Sequence, residues 1–278
     1  MTDAHRHVPT DSIGVFDSGV GGLSVLREIR AVLPVEQLLY VADSGAAPYG
    51  ERTQEFIKAR AVAIVEFFLQ QRVKAIVVAC NTATAVAIKA LRSRYAIPMI
   101  AIEPAIKPAA MMTKTGVVGV LATTQTLASE NLASLAEKYG QGIKILLQAC
   151  PGWVEQVELG RLIDVKTESL VARYVTPLLE QGADTIVLGC THYPFLLAAI
   201  RHVAGPSITV IDPAVAVARE LRRRLEVNGL LSIEKLLGAE AFWTSGAPQQ
   251  VEPVITQLWG KQVIVEPLPT RYTAPMSY

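Results

Sequence analysis

Apolar positions along this chain fall into two alternating patterns. Short, nearly unbroken blocks rich in Val, Ile and Leu alternate with longer stretches in which apolar residues recur at helical spacing. The blocks SIGVFD (12–17), QLLYVAD (37–43), KAIVVAC (74–80) and IPMIAIE (97–103) predict strands. Between them, GGLSVLREIRAVLP (21–34), TQEFIKARAVAIVEFFLQQ (53–71) and TATAVAIKALRSR (82–94) predict helices, the first ended by Pro34. From about residue 115 the rhythm restarts. GVVGVLATT (116–124), IKILLQAC (143–150), DTIVLGC (184–190) and SITVIDPA (207–214) read as strands, with helices over 168–181 and within YPFLLAAIRHV (193–203). Continuously apolar strands separated by helices imply a parallel sheet covered on both faces.

The two series can be laid over each other. AIVVAC (75–80) answers to TIVLGC (185–190), IEPA (102–105) to IDPA (211–214), and GVFDS (14–18) to GVLAT (119–123), in the same order. A duplicated unit follows, and with it an α/β fold of two doubly wound domains with mainly parallel sheets. The expected division is 1–103 plus 216–278 for one domain and 104–215 for the other. Ligands of open parallel sheets sit beyond the carboxyl ends of the strands. The polar residues crowd there: Asp17-Ser18, Asp43-Ser44, Cys80-Asn81-Thr82, Thr123-Thr124 and Cys190-Thr191-His192. Two such halves facing each other enclose a cleft with one cysteine on each wall.

Charge and composition narrow the setting. Net charge is +1 over 278 residues, which gives no general attraction to nucleic acid or to a membrane surface. The three cysteines (Cys80, Cys150 and Cys190) have no CxxC spacing, so a reducing, cytoplasmic compartment is expected rather than a disulfide scaffold. HRH (5–7) has metal donors but sits in a polar lead-in, and no metal site is assigned to it. RELRRRLEV (219–227) reads as the solvated face of a helix, and PLPTRYTAPMSY (267–278) as a loosely held tail.

The chemistry lies in the paired cysteines. Thiolate is the reactive form, and a helix start or a protonatable neighbour makes it accessible near neutrality. Both Cys80 and Cys190 stand where a strand meets a helix, and His192 follows Cys190 as a proton partner. Two opposed thiols suit removal of a proton from one face of a carbon and delivery of another to the opposite face, a stereochemical inversion by general acid and base. DSGVGGLSV (17–25) is a glycine-rich turn whose N–H groups could face an anion, either a phosphate or a substrate carboxylate, although it matches neither a P-loop nor GxGxxG. A hydrolase using Cys190 and His192 is a competing reading, but it leaves the second thiol unexplained.

Taken together, FDSGVGGLSV, PYG (48–50), ACNTAT and GCTHYP resemble, in order and spacing, the glutamate racemases of the aspartate/glutamate racemase superfamily. The resemblance runs from about residue 13 to beyond residue 215. It implies a pseudo-symmetric pair of domains with the active site between them, and cofactor-independent interconversion of L- and D-glutamate that supplies peptidoglycan synthesis. Cys80 would handle the proton of the D-isomer and Cys190 that of the L-isomer. Asp17 would assist Cys80 and His192 would assist Cys190. A further assisting carboxylate falls on Glu158, with Glu155 close by as an alternative. Substrate contacts would come from Asp17, Ser18, Tyr49, Gly50, Asn81, Thr82, Thr123, Thr191 and His192. The implied partner is a small-molecule substrate, with no cofactor, no metal, no nucleic acid and no membrane, and a homodimer is carried as the open expectation for assembly. The alternative substrate is aspartate or another amino-acid derivative. The chain departs from the family at Ala42, where many members have glycine, and in the loop GWVEQVELG.

Overall fold

The computed structural model describes residues 7–273. Of HRH (5–7), only His7 therefore falls within the described residues, and the tail is described as far as Thr273. The strands are β1 (Ile13–Asp17), β2 (Leu38–Ala42), β3 (Ala75–Val78), β4 (Met99–Ala101), β5 (Val117–Ala122), β6 (Lys144–Ala149), β7 (Thr185–Leu188), β8 (Thr209–Ile211), β9 (Glu240–Thr244) and β10 (Val265–Pro267). They form two all-parallel sheets, in the orders β10-β9-β2-β1-β3-β4 and β6-β5-β7-β8. The fold is α/β, with helices between successive strands.

The second sheet repeats the strand order of the first four strands of the chain, and its register extends the likeness. Phe16 faces Val78 across β1 and β3, and Leu121 faces Leu188 across β5 and β7, which is the correspondence the two cysteine motifs give. The fourth strand differs. Val77 faces Ile100 and Val187 faces Ile211, so by ladder position Ile211 answers to Ile100 and not to the Ile102 of IEPA. The similar tetrapeptides are thus out of structural register. Both are apolar residues followed by an acid and a proline at the end of a strand, a pattern that slides easily.

Buried apolar residues join the two sheets. The largest cluster runs from Ile13, Val15 and Tyr40 to Trp153, Tyr193 and Leu221. Trp153 is fully buried, with its ring 4.7 Å from that of Tyr193 in an edge contact. The helix Ala214–Val227 buries Leu221 and Leu225 and leaves Arg222, Arg223 and Arg224 at the surface, as the spacing of RELRRRLEV predicts. No helix among the described residues is long and apolar enough to cross a membrane.

Local signals set the helix boundaries that bear on the site. Thr53 accepts from the Phe56 N–H and starts the helix Gln54–Gln70. Asp164 accepts from the Thr167 N–H and starts the helix Val165–Glu180 earlier than apolar spacing alone predicts. YPFLLAAIRHV divides into a 3-10 turn, Tyr193–Leu196, and the helix Leu197–Ala204. The expectation of a loose tail fails over 267–273. Leu268 and Tyr272 are buried, the Leu268 N–H donates to the Thr244 carbonyl, and the Tyr272 ring packs 5.5 Å from that of Phe67. Proline content had pointed to solvent exposure, but the two apolar side chains find a groove beside the helix Gln54–Gln70.

Candidate functional site

Cys80 follows β3 and caps the helix Asn81–Arg94. The Ala83 N–H points at its Sγ over 3.4 Å, and its thiol lies 3.7 Å from the Ser18 hydroxyl beyond β1. Cys190 occupies the matching place after β7 but meets a 3-10 turn instead of a regular helix. Its Sγ lies 3.7 Å from His192 Nδ1. Both cysteines line one small cavity, together with Ser18, Tyr49, Gly50, Asn81, Thr82, Thr123, Thr191 and His192. Pro48, the first residue of PYG, and Val154 also line it, and neither carries a polar side-chain group that marks it as a site residue. Asp17 and Glu158 stand behind this wall.

The glycine-rich turn proves to serve the protein's own carboxylates. Gly22 N–H donates to Asp17 Oδ2 over 2.9 Å, and Val20 N–H donates to Glu158 Oε1 over 2.7 Å. Those two donors are therefore taken, which removes them from the phosphate or substrate role expected of the turn. Its glycines answer to crowding. A Cβ at Gly19 would fall 1.9 Å from Glu158 Oε1, and one at Gly21 would fall 2.2 Å from His192 Nδ1. The turn is bare so that these two side chains can lie against it.

Glu158 connects the two halves. Its Oε1 lies 2.6 Å from His192 Nε2, and its Oε2 accepts from the Ser44 hydroxyl at the end of β2 over 3.1 Å. Glu155 instead lines an adjacent cavity with Cys150 and Tyr193. Ser44 was recognisable only as one of several polar residues at strand ends. Asp17 accepts from the Thr191 hydroxyl over 3.3 Å and lies 3.9 Å from His192 Nδ1. Its hydrogen bonds thus run to Gly22 and Thr191, while its charge is what reaches Cys80.

The electrostatics differ between the walls. Burial pushes the Cys80 thiol well up, and the nearby Asp17 charge adds to this, against the Ala83 N–H and the Ser18 hydroxyl. Asp17 is raised too, chiefly by burial, with His192 opposing. Burial alone would lower His192, but its hydrogen bonds to Cys190 and Glu158 and the charge of Asp17 hold it well above the ordinary 6.5. These contacts favour the protonated form of His192, which stands between Cys190 and Glu158.

One group is conspicuously ready for a ligand. Asn81 is 4% exposed and lines the cavity, yet neither its amide nitrogen nor its oxygen has a partner among the described residues. A buried amide left open on both sides suits a ligand carrying both hydrogen-bond donors and acceptors. Beside it, the hydroxyls of Thr82, Thr123 and Thr126 bond to one another at 3.0–3.2 Å. No cluster of three His, Cys, Asp or Glu residues that could hold a metal ion occurs among the described residues.

Comparison with known proteins adds a lineage to this geometry. The family model described as Asp/Glu/Hydantoin racemase matches residues 13–221. A glutamate racemase of Methylococcus capsulatus is 53% identical over 262 residues, spanning 94% of this chain and 97% of its own. The crystal structure of glutamate racemase isoform RacE1 from Bacillus anthracis superposes with a TM-score of 0.84 at 36% identity, covering 96% of this chain and 99% of that one. That of the Escherichia coli glutamate racemase, in complex with L-glutamate and the activator UDP-MurNAc-Ala, superposes with a TM-score of 0.83 at 35% identity, covering 94% and 98%.

Proposed function

Starting from the premise that this chain belongs to the Asp/Glu/Hydantoin racemase family, and so is an isomerase, we propose that it interconverts L- and D-glutamate by a two-thiol mechanism. The observation that carries the proposal is the presence of two buried cysteines, at corresponding strand ends of two similar sheets, on one small cavity.

The proposed step balances without a redox partner. Cys190, as thiolate beside the His192 imidazolium, takes the α-proton of L-glutamate and becomes a thiol. Cys80, a thiol held protonated by burial and by Asp17, gives its proton to the opposite face and becomes a thiolate. The product is D-glutamate, and exchange with solvent resets the two thiols. The reverse reaction exchanges the roles. The developing charge on the α-carbon and its carboxylate is met by groups fixed beforehand: the Asn81 amide and the hydroxyls of Ser18, Thr82, Thr123 and Thr191. Tyr49 and Gly50 close the cavity from the side of the first sheet. The proposed step calls on no cofactor.

Glutamate is preferred to aspartate because the full-length relatives of highest identity described above are named for it. We further propose the domain division 1–103 plus 216–278 and 104–215. It is supported by strands of one sheet falling within 13–101 and 240–267 and those of the other within 117–211. A cytoplasmic enzyme supplying D-glutamate to peptidoglycan, assembled as a homodimer, completes the proposal.

Racemisation in D2O tests it. With L-glutamate as substrate and no cofactor, the expected result is D-glutamate carrying α-deuterium while the early remaining L-glutamate stays protiated. Early deuterium in L-glutamate would point to a single base acting on both faces and would overturn the two-thiol step. Faster turnover of aspartate in an amino-acid panel would overturn the substrate.

A further inference from the structure

The Tyr49–Gly50 side of the cavity is held from a distance. Tyr49 is buried, and its hydroxyl donates to Asp43 Oδ2 over 2.5 Å. Asp43, fully buried at the end of β2, is gripped through both oxygens by Arg60. Nε donates to Oδ2 over 2.9 Å, and the second terminal nitrogen donates to Oδ1 over 2.6 Å. The first terminal nitrogen of Arg60 reaches the other way, donating to the carbonyls of Tyr272 and Thr273 at 2.7 Å each. A planar guanidinium can bind a carboxylate with one edge and two carbonyls with another, which a lysine ammonium cannot reproduce.

We propose that Arg60 is a positioning residue for the Tyr49–Gly50 turn, and that the C-terminal segment holds Arg60 in place through the Tyr272 and Thr273 carbonyls. The chain of contact is continuous and buried: Thr273 and Tyr272 to Arg60, Arg60 to Asp43, Asp43 to Tyr49, and Tyr49 to the cavity. None of Arg60, Asp43 or Tyr272 lines the cavity, so each acts only through the turn. Gly50 lies close against Thr123 of the opposite half, where a Cβ on Gly50 would be 3.0 Å from that of Thr123, so a small displacement of the turn alters the cavity. A change at the tail is therefore passed to the site as a change in where Tyr49 and Gly50 stand. The inference rests on the reading of that turn as a substrate contact.

Two measurements on Arg60→Lys, Arg60→Met and a chain ending at Arg271 test it. The first is backbone hydrogen exchange over residues 44–52, which needs no substrate. It is expected to speed about tenfold in Arg60→Lys and in the shortened chain, and more in Arg60→Met. The second is steady-state racemisation of glutamate. There KM is expected to rise about tenfold with kcat held within about twofold, because the turn binds without touching the reacting carbon. Should Arg60→Met fail to fold, Arg60→Lys and the shortened chain carry the test. Unchanged exchange in both, or exchange that quickens with KM unmoved, overturns the proposal. So does loss of kcat in step with a fall in melting temperature, since that marks a general fold contact. Faster exchange together with a wild-type protein inert towards glutamate would instead refute the substrate assignment and leave the latch standing.

Discussion

The two cysteines occupy corresponding places in similar sheets, yet their surroundings solve the same problem by different means. Cys80 sits at the start of a regular helix, with a backbone N–H at its sulfur and a serine hydroxyl within reach. Cys190 meets a 3-10 turn and relies on a charged side chain, His192, which is itself held by Glu158 from the opposite end of the ring. The matching strand order thus fixes where a thiol stands but not its resting protonation, which depends on the different side chains that each half places beside it. Burial and the Asp17 charge push the Cys80 thiol up, while the contacts of His192 favour a protonated ring beside Cys190.

The most severe way to break the comparison is to remove either sulfur. Cys80→Ser and Cys190→Ser are each expected to lower racemisation by about 10²–10⁴-fold, the range of a lost general acid or base. Circular dichroism of glutamate reads the inversion. If one variant keeps near wild-type activity, the walls are not partners and the second thiol is merely buried.

Replacing Glu158 sharpens the comparison. Glu158→Gln weakens the charged hydrogen bond to His192 and is expected to cost roughly tenfold to hundredfold in kcat/KM. L- and D-glutamate have equal free energy in water, so kcat/KM must fall equally in both directions. The asymmetry appears in isotope effects. With α-deuterated L-glutamate, abstraction by Cys190 becomes more limiting and the effect rises, whereas with α-deuterated D-glutamate it falls. Equal changes for both enantiomers would mean that Glu158 serves the two walls alike. The pH profile gives a second reading. Because His192 is raised above 6.5 in the fold, its stabilising imidazolium contacts are fully present below about 6.5 and are lost as pH rises through the higher folded value. Loss of the Glu158 charge lowers that folded value, so the alkaline limb of activity moves to lower pH.

What could be read beforehand is also unevenly divided between the walls. The strands, the cysteines at their ends and the repeat all follow from local apolar runs, since a buried parallel strand has an almost unmistakable composition. His192 is legible for the same reason, as a neighbour of Cys190 in the chain. The partners of Glu158 are not, because Val20 and Ser44 approach from more than a hundred residues away, and only folding brings them to one carboxylate. The glycines at 19 and 21 looked like an anion loop because their spacing carries no record of the side chains that crowd them. The tail misled for a related reason. Its prolines are visible in the sequence, whereas the groove that receives Leu268 and Tyr272 is made by residues some two hundred positions earlier.

The smallest effect concerns the outer end of the Glu158 clasp. Oε1 has two partners, the Val20 N–H and His192, whereas Oε2 has the Ser44 hydroxyl. Ser44→Ala removes only the latter, so the carboxylate keeps its charge and its contact with the imidazole. The expected loss is about twofold to fivefold in kcat/KM, within the worth of one partly exposed hydrogen bond, with the alkaline limb barely moved. Ser44→Thr restores the hydroxyl and should recover most of it. If Ser44→Ala instead costs as much as Glu158→Gln and shifts the limb as far, then Ser44 sets the direction of the carboxylate. In that case the Cys190 wall is organised from the first sheet, and the difference between the two walls originates at the end of β2.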